Sequence, residues 1–531
     1  MDHNRNLKIL MGIINKNLFG GPSGHLPYLV EGLELEGVIV KGIVYGARND
    51  QEGYFLKVRN TIESIININK ELKKNRYDIV HLNSAFDNKS LFRDFFSLLF
   101  LKRHKIPIFI KTHGTDEKTV LSNNLIVGFM KNCILSWASG IGVLSQEEKN
   151  NFIQAGLSVN KIFVIKNIIK KENFVEVVDI RKKYNLDQNI IILLFSARFV
   201  IEKGLIDVIE ACNFINQKKI NFHLFCLGDG PTMAIAKKLV NEYNLERKIT
   251  FTGYIPENET KSYYAGSNIF LFPTYHQEGF PMALFQSVVC GLGIVTTKIR
   301  AAADYLKENE NCLFVSSCEP LSLSKSIEYL INNTEFRQSM SNNNINLSDL
   351  FTPKKVALEF LEIYLNLLRK NSLPKILITS PSLDVNKNVS GVSSMTNFII
   401  KNNDLRKYIH VELGKRDNEK RGVSWFFRIL YSFIKYLTYL LKQNEIIIHF
   451  NLALNIASIF RDTPFILIAR LLNRKLILHL HGGEYLIKSP TPKYFLSFIK
   501  YILSKADYII VLSDLEKNEI IKRYHAKNIL D

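Results

Sequence analysis

The sequence predicts an α/β fold built from doubly wound parallel sheets. Three observations carry that prediction. Short runs of β-branched and aromatic residues alternate with amphipathic stretches of helical length along most of the chain. One stretch, 267–297, reads as a complete strand–helix–strand crossover. And the last third of the chain begins the same series again.

In order, LKILMGII at 7–14 reads as a first strand, followed by a Gly-rich loop from Asn15 to Gly24 and a helix from about His25. Further strands are expected at 38–44, 77–82, 107–112 and 140–144. A polar break lies near Asn167 to Val178 and is read as a hinge. The second series begins near 190 with IIILLFSA and continues at 221–228, 249–253, 269–272, 294–297 and 312–315. Helical patterns at 320–333 and 353–370 close it.

The crossover at 267–297 organises this second series. Ile269 to Phe272 is a buried-strand run, and a loop with His276, Glu278 and Gly279 follows. Pro281 fits the first turn of a helix, along which Leu284 and Phe285 pair with Val288 and Val289. Gly291 and Gly293 are expected to stop the helix. The loop therefore lies at the carboxyl end of a parallel strand, where open α/β sheets bind ligands. Free N–H groups at the helix start suit an anion or a sugar hydroxyl, and Glu278 adds a carboxylate.

A length of 531 residues implies three or more domains. The formal charge of +19 favours anionic partners, but the cations are spread rather than gathered in a stripe. They are read mainly as solvated helix surface, and no nucleic-acid partner is expected. No apolar run reaches a membrane span, and the start lacks a secretory leader. Six cysteines fall in no zinc or CxxC spacing, which fits a reducing cytoplasm.

From about 374 the chain repeats its beginning. KILIT at 375–379 resembles KILMG at 8–12, and NKNVSG at 386–391 resembles NKNLFG at 15–20. His81 and Asn83 match His449 and Asn451, His113-Gly114 matches His481-Gly482, and Glu148-Lys149-Asn150 matches Glu516-Lys517-Asn518. Each of these pairs is 368 positions apart. A constant offset across scattered polar positions marks a duplicated domain, joined by RKNSLPK at 369–375 as a short polar linker. The expected domains are 1–172, 173–370 and 374–531. By the offset Asp531 falls opposite Phe163, so the third is expected to be a solitary copy of the first, without counterparts of Arg198, Lys203 or Glu278.

SARFVIEKG at 196–204 follows a strand and precedes a helix, placing Arg198 and Lys203 at the same sheet edge as Glu278. Two cations beside a helix start suit a diphosphate, though the same residues also occur as plain strand-end surface. Gly228-Asp229-Gly230 opens like a dinucleotide fingerprint, but Met233 stands where a third glycine would, so it is weak evidence for NAD.

Taken together, ARFVIEKG, the FTGYIPENE turn and HQEGFPMALFQSVVCG resemble the donor domain of retaining glycosyltransferases of family GT4, which have the GT-B fold of two Rossmann-like domains. GGPSGH and THGTD resemble that family's acceptor domain, so the resemblance covers about 1–370 as a whole enzyme and 374–531 as a second acceptor-type domain. The resemblance implies that Arg198 and Lys203 bind the donor's diphosphate. It places Glu278 on donor-sugar hydroxyls, the amides around Phe280, Pro281, Met282 and Ala283 beside it, and Ile255 at the base. Gly20 and Gly21 would let backbone approach the phosphates, and His113 would face the reacting sugar.

Two positions depart from the family. Gln286 stands where a second acid usually contacts the ribose, and Lys166-Asn167-Ile168 replaces the hinge's usual Pro-Asn-Gly. The expectation is a metal-independent retaining transferase, moving a sugar from a nucleotide diphosphate sugar to a saccharide or lipid-linked acceptor in cell-surface polysaccharide synthesis. No cofactor is expected beyond that co-substrate. A silent glycan- or partner-binding module and a nucleotide-sugar epimerase are the alternatives. The aromatic, basic stretches 91–105 and 425–442 are read first as crossover helices packing on their own sheets. The second reading makes them contacts to the anionic inner face of the cell membrane.

Overall fold

The protein is described by a computed structural model covering residues 6–13, 21–46, 53–169, 178–403, 406–420, 422–442, 445–488 and 493–530. It forms two compact units, Met1–Leu368 and Arg369–Asp531.

The first unit holds two parallel six-stranded sheets. In one, β1 (Lys8–Ile13), β2 (Ile39–Val44), β3 (Ile79–Ser84), β4 (Ile108–Thr112), β5 (Gly140–Val143) and β6 (Ile162–Val164) lie in the order β2-β1-β3-β4-β5-β6. In the other, β7 (Ile191–Ser196), β8 (Phe222–Leu227), β9 (Ile249–Gly253), β10 (Ile269–Phe272), β11 (Gly293–Thr296) and β12 (Leu313–Phe314) run β12-β11-β10-β7-β8-β9. Helices cover both faces, so the central strands are buried throughout, as in Phe222–Leu227 and Ile269–Phe272. In each sheet the strand order reverses beside the first strand, and the loops leaving the carboxyl ends there form the walls of one cleft.

The second unit carries β13 (Lys375–Ser380), β14 (Tyr408–Glu412), β15 (Ile446–Leu452), β16 (Lys475–Leu480), β17 (Tyr508–Ile510) and β18 (Ile529–Leu530), ordered β14-β13-β15-β16-β17-β18. This is the order of the first sheet, and the register repeats with it. Val80 pairs with Ile108 and Phe109 with Gly140, while Ile448 pairs with Leu476 and Ile477 with Tyr508. The third sheet is thus an additional Rossmann-like domain.

Four details differ from the sequence expectation. The linker at 369–375 is largely helical, because the helix Pro353–Ser372 runs on through Arg369 and Lys370, which favour helix, until Pro374 denies it a further turn. That helix does not stay with the second sheet. Val356, Phe360, Tyr364 and Leu367 pack against Ile9, Met11 and Leu29 of the first, and the Tyr364 hydroxyl meets His81 Nδ1 at 2.6 Å. Ile162–Val164 pairs as β6 just before the polar break, of which 170–177 lie outside the described residues. Gly291, with φ +66°, makes the turn after the crossover helix, whereas Gly293 already belongs to β11.

The two aromatic helices each pack one face as expected. The helix Asn88–Leu101 buries Leu91, Leu98 and Leu101, and Val423–Lys442 buries Tyr436 and Leu440. Both leave a second apolar face outside, including Phe92 and Phe100 on one and Phe426, Phe427 and Ile434 on the other. Among the described residues no helix is long and apolar enough to cross a membrane.

Candidate functional site

A cleft of about 960 Å³ opens between the two sheets of the first unit. On the wall built by the second sheet the loop after β7 carries Arg198 and Lys203. Gly204, with φ +78°, ends that loop and starts the helix Leu205–Gln217; a Cβ there would lie 2.7 Å from the Pro273 carbonyl. The Glu202 carbonyl accepts from the Tyr275 and His276 amides (2.9 and 3.2 Å) and from Thr274 Oγ1 (3.0 Å), fastening the loop after β10 to the loop after β7. That fastening brings Glu278 onto Lys203, and the two form an ion pair.

Lys203 is buried and Arg198 exposed. Burial first, then the Arg198 guanidinium, push the Lys203 ammonium down to about 7, while Glu202 opposes them. The Glu278 carboxylate against it also favours the charged form. His276 is pushed down as well, by burial and then by the Lys203 charge.

On the opposite wall His113 follows β4. Its Nε2 lies 2.6 Å from Asn83 Oδ1, and Asn83 Nδ2 donates to the Gly12 carbonyl at 2.7 Å. Because the amide nitrogen is committed to Gly12, Asn83 Oδ1 must accept, so His113 carries its proton on Nε2. Its Nδ1 then presents a lone pair and has no hydrogen-bond partner among the described residues. Burial, with His25, Lys111 and His81 nearby, holds His113 well below the usual histidine range, so the ring is neutral.

The two walls touch through Arg300 and Glu148. Arg300 is 2 % exposed, has a φ of +42° and reaches across the cleft. Its guanidinium pairs with Glu147 (3.2 Å) and Glu148 (3.5 Å) and donates to the carbonyls of Thr115 and Gln277 (both 3.1 Å). Glu148, fully buried, accepts from the Thr115 amide (2.8 Å) and the Leu144 amide (2.7 Å). Asp304 adds a bond from the Gln146 amide at 2.7 Å. Gly279 sits at the closest approach, where a Cβ would meet Leu144 Cδ1 at 2.7 Å and Gly114 Cα at 3.0 Å.

Comparison with known proteins decides what this cleft belongs to. A model described as Glycosyltransferase Family 4 matches residues 20–173, and one described as Glycosyl transferases group 1 matches 177–347. Together the two models show a GT4-like GT-B glycosyltransferase over residues 20–347. The uncharacterized glycosyltransferase MJ1178 of Methanocaldococcus jannaschii is 24% identical over 67% of this chain and 98% of its own length. The capsular polysaccharide biosynthesis glycosyltransferase CapM of Staphylococcus aureus is 25% identical over 54% of this chain and 85% of its own. A structure of Anabaena HepE in complex with UDP, 15% identical, covers 68% of this chain and 99% of that one with a TM-score of 0.52, and shares the GT-B fold.

Of the residues expected from the family 4 motifs, Arg198, Lys203, Ile255, Glu278, Pro281, Met282, Ala283 and His113 all line the cleft. Phe280 lines it too, yet its ring stacks on Phe285 (centroids 3.9 Å apart) in the second sheet's core, leaving its backbone to face a ligand. Gln286 stands a turn further along the helix Met282–Val289, and the structure does not bring it to the cleft wall. Gly21 opens the helix Gly21–Leu35, and Gly20 lies outside the described residues. Gly228 and Gly230 make room for Ala197 and Phe199, whose carbonyls a Cβ at either glycine would strike.

The sequence reading missed Arg300 and gave Glu148 no role. Glu148 had left a signal, since Glu516 matches it in the repeat. Arg300 had left none, because its partners are far away in the chain. Among the described residues no group of three His, Cys, Asp or Glu side chains could hold a metal ion.

Proposed function

We propose that the first unit is a retaining, metal-independent transferase acting on a nucleotide diphosphate sugar. One observation carries this reading: Arg198, Lys203 and Glu278 converge on one wall of a cleft whose other wall presents His113. Arg198, exposed at the cleft, grips the diphosphate, and its planar fork suits paired phosphate oxygens. Lys203 stabilises the charge that develops on the phosphate as the sugar–oxygen bond breaks. In a water-poor site such a group is worth more than it is at a surface. The diphosphate takes over Lys203 as Glu278 turns to a donor-sugar hydroxyl, with the amides at the start of Met282–Val289 beside it. His113 Nδ1 accepts from another sugar hydroxyl. The acceptor's oxygen bonds to the anomeric carbon, and its proton leaves with the departing phosphate oxygen.

CapM is named for capsular polysaccharide synthesis and the HepE structure holds UDP. The first supports a role in cell-surface polysaccharide assembly, and the second makes UDP-sugars the first donors to try. Ile255 would flank the base. The acceptor is a saccharide or lipid-linked hydroxyl reached at the inner face of the membrane.

The test is turnover of UDP-, GDP- and ADP-sugars by the purified chain. Arg198→Ala and Lys203→Ala should each lower kcat by about a hundredfold or more while the chain stays folded. Unchanged turnover in both variants removes the diphosphate assignment, and an epimerised nucleotide sugar as product replaces transfer with epimerisation.

A further inference from the structure

A second cavity, of about 1260 Å³, lies on the first sheet between the helices Tyr54–Lys74 and Asn88–Leu101. Phe92, Phe96 and Phe100 stand four residues apart on one helix, and Val58, Ile62 and Ile66 stand four apart on the other. Spacing of four puts each set in a single stripe, so two apolar stripes line one groove. Phe92 and Ile62 remain 52 % and 53 % exposed there. Lys57, Lys70, Lys73, Lys89 and Arg103 rim the groove, and among the described residues no Asp or Glu lines it. Along the second helix it runs from Lys89 to Phe100, about 16 Å at the helical rise. Asn69 and His104, 3.0 Å apart, tie the walls together at the far end.

The near end reaches the cleft. Asp87 lines the donor cleft, and its neighbours Asn88 and Lys89 line the groove. The repeat supplies an internal control, because Val423–Lys442 and the helix Ile456–Leu471 occupy the equivalent places there. Phe92-Arg93-Asp94 recurs as Phe460-Arg461-Asp462, with the Asp buried and paired to the Arg in both. The five rim cations do not recur. At the same offset stand Trp425, Thr438, Leu441, Ala457 and Leu471, and Pro464 replaces Phe96. The basic rim is therefore not a requirement of this helix pair. It occurs in the copy that faces the donor site.

We propose that this groove holds the hydrocarbon chain of a lipid-linked acceptor. The lipid's phosphate sits on the rim cations near Lys89 and its sugar hydroxyl enters the cleft past Asp87. The proposal rests on the transferase reading and narrows its acceptor to an amphiphile carrying a phosphate. Apolar stripes take the chain, the five rim cations take the anion, and the shared border with the cleft presents the hydroxyl.

The test is binding of monomeric farnesyl phosphate and isopentenyl phosphate to the full chain, in the absence of vesicles. The longer chain should bind about tenfold more tightly or better. Ile62→Asp with Phe92→Asp, both at exposed positions, should abolish that preference while leaving Tm and nucleotide binding unchanged. Lys89→Glu should weaken both probes alike. Equal binding of the two probes, or a preference that survives the double variant, overturns the proposal. So does binding to phosphatidylglycerol vesicles without affinity for monomeric farnesyl phosphate, which would make the groove a membrane-adhesive face. Failure of the transferase reading is separable, since it shows as absent nucleotide binding and turnover in the unaltered chain.

Discussion

The first sheet and the third build the same polar corner and surround it differently. In the third, His481 Nε2 meets Asn451 Oδ1 at 2.7 Å and Asn451 Nδ2 donates to the Thr379 carbonyl, as His113, Asn83 and Gly12 do in the first. Glu516 accepts from the Leu512 amide at 2.8 Å, as Glu148 does from Leu144. Yet Leu144 is 2 % exposed under Gly279, while Leu512 is 57 % exposed. Lys111, buried under the cleft of the first sheet, has His479 in its place. The His–Asn pair is thus a way of finishing this sheet edge and is not by itself a sign of catalysis. What distinguishes the first copy is the wall opposite, with Lys203 and Glu278, and the Arg300 bridge that holds the walls together.

The comparison breaks most readily at that bridge. Arg300→Ala leaves Glu148 buried without its cation, which should cost the first unit about 3–5 kcal/mol and lower turnover with it. Glu516→Gln, in a half-exposed position with no arginine partner among the described residues, should cost under about 1 kcal/mol. Urea unfolding of the two variants measures both. Equal losses would mean that Glu148 serves only its own loop.

Acid should affect the two copies alike. Burial pushes His25 and His81 down to about 3, and His449 and His481 to about 4, so the folded rings are neutral. Above about pH 6.5 neither folded nor unfolded chain binds these protons and the histidines contribute nothing. Below it only the unfolded chain binds them, so stability falls with pH until the folded values are reached. Each fully buried ring should withdraw about 2 kcal/mol by pH 5. Urea midpoints at pH 7 and pH 5 check this, and stability that rises on acidification would contradict it.

The smallest effect belongs to Gln286→Glu, set back from the cleft, which should change kcat/KM by less than about threefold (under about 1 kcal/mol). Glu278→Gln, beside Lys203, should lose about a hundredfold. Reversed sensitivities would exchange the two roles.

Much of this was legible from residues alone. Strand-forming runs located most of the strands, and the constant offset anticipated the duplicate registers of the first and third sheets. That Arg198, Lys203, Ile255 and Glu278 line one cleft could be read because each sits in a short local motif. β6 escaped because its three residues run into a polar break. The helix through Arg369–Ser372 escaped because its sequence is polar. Arg300 was invisible for a different reason: its meaning lies in Thr115, Glu147 and Glu148, which only the closing of two sheets over a cleft brings near. The apolar stripes at Phe92 and Ile62 lie on separate helices, and no single stretch shows that they share a groove.

The proposed donor site is single and lies in the first unit, although the chain carries the His–Asn corner twice. Calorimetric titration of the full chain tests it, using whichever of UDP, GDP and ADP raises its Tm most. One site per chain is expected, lost in Arg198→Ala with Lys203→Ala and unaffected by His481→Ala. Two sites per chain, or one that survives the double variant and disappears with His481→Ala, would contradict it.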